Sequence, residues 1–103
     1  MIKTGTYIGN GAATQAVAGV GFLSTHILIL RETDNTNNQG TKTPIENPGG
    51  ACSSWRSAGL YQYSQDDIIS LDADGFTVGD GTPAGTNIFN VLGVTYTYVC
   101  MRS

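Results

Sequence analysis

Few residues in this chain have both the type and the spacing that chemistry needs. Asp72-Ala73-Asp74-Gly75 opens like a calcium loop. Calcium takes six to eight oxygen ligands, yet the next ligand position is Phe76 and the closing one is Pro83, so the pattern stops after two carboxylates and reads as a tight turn between Leu71 and Phe76. Asp66-Asp67 sets two carboxylates side by side. On a strand they would point to opposite faces and could not act on one atom as an acid and base pair, so a solvated turn is expected. His26 is the only histidine, and no Gly-x-Ser-x-Gly accompanies it; a nucleophile and an acid would have to be brought to it in space. Cys52 and Cys100 lie far apart and outside any Cys-x-x-Cys. They read as reduced thiols that pack as small apolar groups, with no metal site and nothing nearby in sequence to lower a thiol pKa. The glycines lack the Gly-x-x-x-x-Gly-Lys of a phosphate cradle.

One group remains as a candidate contact site. Trp55, Tyr61 and Tyr63 are aromatic residues in a polar neighbourhood. Such residues can close one end of a core, anchor a protein interface or stack on a sugar ring. Tyr61 and Tyr63, two apart, would share one face of a strand.

The elements that position these residues are β-strands. His26-Ile27-Leu28-Ile29-Leu30-Arg31 is apolar on both faces, the pattern of a central strand. From Val94 to Met101, Val94, Tyr96, Tyr98 and Cys100 alternate with Thr95, Thr97, Val99 and Met101. Weaker strands are expected over Gly5–Ile8, Ala16–Val20, Ile68–Leu71, Phe76–Val78 and Asn87–Leu92. Gly9-Asn10-Gly11, Asn47-Pro48-Gly49-Gly50, Asp74-Gly75 and Asp80-Gly81 supply turns, Asp-Gly and Asn-Gly through the positive φ that tight hairpins use. Glu32–Gly50 reads as an exposed loop or long hairpin tip, and Ser53–Leu60 as the one weak helix candidate. The expected fold is therefore all-β: a single antiparallel β-sandwich or jelly-roll-like domain of six to eight short strands over residues 1–103.

Composition narrows the functions. Charged residues make up 13% of the 103 residues, about half of the ~25% usual in globular domains. The five lysines and arginines form no cluster and the net charge is −3, which argues against binding nucleic-acid phosphates. No apolar run is long enough for a membrane helix, and Met1–Tyr7 lacks the apolar region of a signal peptide. Lys3 and Arg102 are the only charges outside Arg31–Asp80. The uncharged ends should be buried in the core or against other chains, and the acidic middle should face water.

Gly5-Thr6-Tyr7-Ile8-Gly9-Asn10-Gly11, Gly21-Phe22 before His26-Ile27-Leu28-Ile29-Leu30-Arg31, Asp74-Gly75-Phe76-Thr77-Val78-Gly79, and Asn90 and Gly93 before Tyr96-Thr97-Tyr98 follow one another in this order. The order resembles small β-sandwich modules in virion proteins of tailed bacteriophages, of head-decoration and tail-fibre type. Ser24, where that group often has proline, and Arg31, where lysine is frequent, depart from it. The resemblance implies a virion structural protein, a trimeric capsid decoration or cement (head-fibre) subunit bound to the major capsid protein or another virion protein. It would be assembled in the host cytoplasm and located in the virion. No enzyme activity, cofactor, metal, nucleic acid or membrane is expected. The alternative is a receptor- or carbohydrate-binding module of a phage tail fibre, with Trp55, Tyr61, Tyr63 and the Asn-rich loop as its contact surface.

Overall fold

The computed structural model describes residues 1–31, 39–43, 51–56, 60–65, 67–81 and 88–102. Among these residues there are nine strands and no helix. They are β1 (Ile2–Ile8), β2 (Thr14–Val17), β3 (His26–Arg31), β4 (Gln39–Lys42), β5 (Ala51–Arg56), β6 (Leu60–Gln65), β7 (Ile68–Asp72), β8 (Gly75–Gly79) and β9 (Thr95–Met101). A six-stranded sheet runs β1-β9-β3-β4-β5-β6 and a three-stranded sheet runs β2-β8-β7. Every pairing is antiparallel, as expected of an all-β chain with a sandwich-like arrangement.

The strand count exceeds the six to eight expected because the polar middle also pairs. Gln39–Lys42 forms β4 inside the stretch read as a loop, and Ala51–Arg56 forms β5 where a helix was the weak expectation. Neither segment has strong apolar alternation. Each is held by a neighbour on both sides, β4 between β3 and β5 and β5 between β4 and β6, and ladder bonding on two edges overrides weak local preference. The expected strand over Asn87–Leu92 is absent among its described residues, which bend and turn. There the backbone is used differently: the Val91 N–H donates to the Tyr96 hydroxyl at 3.1 Å, while Ile88 and Phe89 plug into the core.

The core lies between the two sheets. Ile27 and Ile29 of β3, Tyr96, Tyr98 and Cys100 of β9, Tyr7 of β1 and Phe76 and Val78 of β8 are all buried. Period-2 alternation makes this selection: on β9 every second residue is buried from Tyr96 to Cys100. Phe76 joins the sheets, edge-on to Tyr7 at 5.7 Å and to Tyr98 at 5.2 Å between ring centroids. Tyr7 stacks on Tyr96 at 5.0 Å, and its hydroxyl donates to the Phe89 carbonyl at 2.8 Å. Burial, with Tyr96 adding to it, raises the Tyr7 pKa far above that of a free phenol.

The β7–β8 hairpin turns through Ala73 and Asp74, with Asp72 opposite Gly75. Gly75 does not supply a positive φ here. It is needed because the Val17 carbonyl of β2 occupies the space a Cβ would take, so β2 can lie against β8 only where the side chain is missing.

Candidate functional site

Both carboxylates that resembled a calcium loop are committed to holding the fold. Asp72 accepts hydrogen bonds from the Ser70 and Thr77 hydroxyls, each at 2.7 Å. Asp74 accepts from the Gly21 N–H at 2.7 Å and the Gly19 N–H at 3.1 Å, and its carbonyl accepts from the Val20 N–H at 2.9 Å. Gly19 and Gly21 have φ of 88° and 92°, a conformation cheap only for glycine, which lets three successive N–H groups turn toward one aspartate. Among the described residues no three His, Cys, Asp or Glu side chains are grouped as metal ligands.

Asp67 corrects a second expectation. It is fully buried rather than in a solvated turn, and its carbonyl accepts from the Gly79 N–H at 2.9 Å; Asp66 lies outside the described residues. That bond ties the start of β7 to the end of β8, and draws Asp67 in beside buried Ile68. Lys42 is likewise buried, and desolvation lowers its pKa while Cys52 works against that shift. The acidic middle is thus not uniformly turned to water. Cys52 and Cys100 are both buried free thiols, as expected. Burial raises the Cys100 pKa, and the neighbouring Ser24 side chain works against that shift. A buried, protonated thiol is a poor nucleophile.

The remaining candidate is the sheet face that turns away from the core. Register-paired residues of antiparallel strands lie on the same face. Thr6, Thr97, Leu30, Gln39, Trp55 and Tyr61 form one such row across all six strands. Thr4, Val99, Leu28, Thr41, Ser53 and Tyr63 form the next, and Ile2, Met101 and His26 a shorter third. None of these positions carries Asp, Glu, Lys or Arg. The opposite parity holds Lys3, Arg31, Lys42 and Arg56 as well as the core.

The three aromatic candidates therefore fall in two adjacent rows. Trp55 stands directly opposite Tyr61, and Tyr63 opposite Ser53; the side chains of Trp55, Tyr61 and Tyr63 lie outside the described residues. The same rows contain Leu28, Leu30 and Val99, and the third contains Met101, all half-buried although they face away from the core. Sequence reasoning did not single these out as contact residues. Its signal was the strand His26–Arg31, apolar on both faces, which demands cover on both sides. At one end of this face a groove of about 480 Å³ is lined by Met1, Ile2, Thr25, His26, Met101 and Arg102. His26 is half-buried there, opposite Met101 in register, and among the described residues no carboxylate or thiol lines the groove with it.

Comparisons with protein-family models, with curated proteins and with solved structures find no match to this chain. What the site can do therefore rests on its own chemistry. An uncharged, β-rich, partly apolar sheet face can exclude water against another surface, which is binding chemistry.

Proposed function

We propose that the chain is a bacteriophage virion structural protein, a capsid decoration or cement subunit of head-fibre type. It docks on the major capsid protein or another virion protein through the outer face of its six-stranded sheet. The observation that carries the reading is the charge-free set of register rows containing Leu28, Leu30, Val99, Trp55, Tyr61 and Tyr63. Permanent assembly contacts are depleted in charge and enriched in aromatic and aliphatic residues. The virion setting is supported by the order of the Gly-x-Tyr-x-Gly-Asn-Gly start, the Asp-Gly-Phe hairpin and the Tyr-x-Tyr final strand. In this reading the chain is a homo-oligomer, the trimer being the form that its resemblance to virion modules implies. It has no catalytic step; its work is to add buried surface across neighbouring coat subunits.

Copy number in purified particles tests the proposal, counted by quantitative mass spectrometry. Hundreds of copies per particle support decoration. A few dozen or fewer move the subunit to a vertex or to the tail, where a receptor- or carbohydrate-binding module becomes the better reading. Absence from particles overturns the virion role. A Leu28→Asp variant that folds normally should lose particle binding; retained binding would remove the outer face from the interface.

A further inference from the structure

One edge of the six-stranded sheet lacks a partner among the described residues. β1 ends the sheet, and among the described residues no strand pairs with its outer side. Sheet edges are normally blunted by short length, bulges, proline or charge. The three-stranded sheet follows that rule: β2 has four residues, and β7 has a register shift between Ile68 and Ser70. β1 follows little of it: Lys3 is its one charge, and at its end the Gln15 side-chain amide donates to the Ile8 carbonyl at 3.2 Å. It has seven residues in unbroken register with β9, no proline, and Ile2, Thr4, Thr6 and Ile8 all exposed on the side away from the core.

Its even positions are also symmetric about Gly5, Lys3 and Tyr7 being the one unmatched pair. Reading outward, Thr4 answers Thr6 and Ile2 answers Ile8. We propose that two copies of this chain associate through antiparallel β1–β1 pairing about a two-fold axis at Gly5, forming one continuous twelve-stranded sheet. In that register residue i of one copy faces residue 10 − i of the other. Ile2 meets Ile8 of the second copy and Thr4 meets Thr6, twice each, as an isologous interface requires.

Exposed apolar residues fit the same axis. The large hydrophobic side chains exposed among the described residues are Met1, Ile2, Ile8, Leu23 and Leu92. Met1, Ile2 and Leu23 gather at the start of β1: the Arg102 N–H donates to the Met1 carbonyl at 2.9 Å and its guanidinium to the Leu23 carbonyl at 2.8 Å. Ile8 and Leu92 gather at its end, where the Gly93 N–H donates to the Gly9 carbonyl at 2.9 Å. A two-fold axis at Gly5 lays each start against the other copy's end, so Ile8 of the second copy comes beside Ile2 at the groove of Met1 and Met101.

Charge and area agree. Each Lys3 faces Tyr7 of the other copy, which leaves the two ammonium groups four register steps, about 14 Å, apart at ~3.4 Å per residue, beyond the Debye length of ~8–10 Å. The paired strip alone measures roughly 24 Å by 10 Å, short of the ~800 Å² per partner of a stable dimer. The apolar residues at both ends must supply the rest, and a concentration-dependent dimer follows. The pairing stands independently of the virion reading, and its two-fold symmetry differs from the three-fold one implied by resemblance.

Sedimentation velocity of the full chain across a concentration series tests this. A monomer–dimer equilibrium is expected, with its dissociation constant raised more than tenfold by Ile2→Lys combined with Ile8→Lys. A monomer at all concentrations, or a trimer untouched by that variant, overturns the pairing. The register is tested by oxidising a Thr4→Cys, Thr6→Cys double variant. It should form a covalent dimer that neither single variant forms, and equal cross-linking of a single variant overturns the two-fold axis at Gly5. Should the lysine variant fail to fold, hydrogen exchange of the wild type decides: β1 amides must gain protection as concentration rises, and unchanged exchange overturns the proposal.

Discussion

The two faces of the six-stranded sheet are made by the same strands and solve opposite problems. On the inner face the hydroxyls of Tyr7 and Tyr96 are individually answered. Tyr7 donates to the Phe89 carbonyl, the Tyr96 hydroxyl accepts from the Val91 N–H, and the rings of Tyr7, Phe76, Tyr96 and Tyr98 interlock. On the outer face Leu28, Leu30, Val99 and Met101 are half-buried, with Thr4, Thr6, Thr95 and Thr97 around them. The inner face specifies one fold. The outer one is apolar enough to be covered, and its threonines keep it tolerable in water until it is. Apolar residues therefore say where water is excluded, while completeness of hydrogen bonding says whether the exclusion is already achieved.

Breaking the inner face should cost most. Tyr98→Ala removes a ring packed on Phe76 and is expected to destabilise the chain by about 3–5 kcal/mol, read from denaturant midpoints; a loss under about 1 kcal/mol would contradict the packing. Ile29 and Leu28 are neighbours on β3 with opposite exposures. Ile29→Ala should cost about 3 kcal/mol and Leu28→Ala about 1 kcal/mol in the same assay, and equal losses would erase the distinction between the faces.

Alkaline pH probes the inner face without substitution. The folded-state pKa values of Tyr7, Tyr98 and Cys100 are raised, so the unfolded chain loses these protons first. Stability should therefore fall once pH passes the ordinary thiol value of 9.0 and the phenol value of 10.0. Lys42 acts in the opposite sense: its lowered pKa contributes a rise in stability toward its ordinary value of 10.5. With three groups against one once both tyrosines join, a net fall above pH 10 is expected in thermal melts. Tyr7→Phe should lose about 1 kcal/mol at neutral pH, one hydrogen bond, and flatten the alkaline decline. The smallest effect belongs to the outer face. Val99→Thr should change stability by less than about 0.5 kcal/mol while weakening attachment to particles, and a larger loss would place Val99 in the core.

How far the sequence reveals this arrangement depends on what makes each element. β3 and β9 are legible because their alternation is set by the core they fill, and the turn before Gly75 because Asp-Gly is a strong local signal. β4 and β5 are not, because neighbouring strands hold them rather than their own composition. Ile88, Phe89 and Val91 look like strand residues, but Asn90 turns that segment aside. Its side chain accepts from the Asn10 N–H at 3.1 Å and donates to the Asn10 side chain and the Ala12 carbonyl, each at 2.9 Å. A side chain that joins residues eighty positions apart leaves no trace in a local window. For the candidate site, the aromatic trio was visible by type. Its alignment with Leu28 and Leu30 required the register of three successive pairings.

The strand order also governs how the chain can fold. β9 lies between β1 and β3, so the last strand in sequence is the keystone of the larger sheet and carries Tyr96, Tyr98 and Cys100 into the core. β3 to β6 can zip as successive hairpins as soon as each is available, whereas β1 has no neighbour until β9 arrives. Such closure between distant segments is slow compared with hairpin formation. During synthesis β1 must wait until β9 has emerged. Thr4 and Thr6, alternating along β1, then serve a second purpose: their hydroxyls keep a strand that must wait compatible with water until β9 arrives.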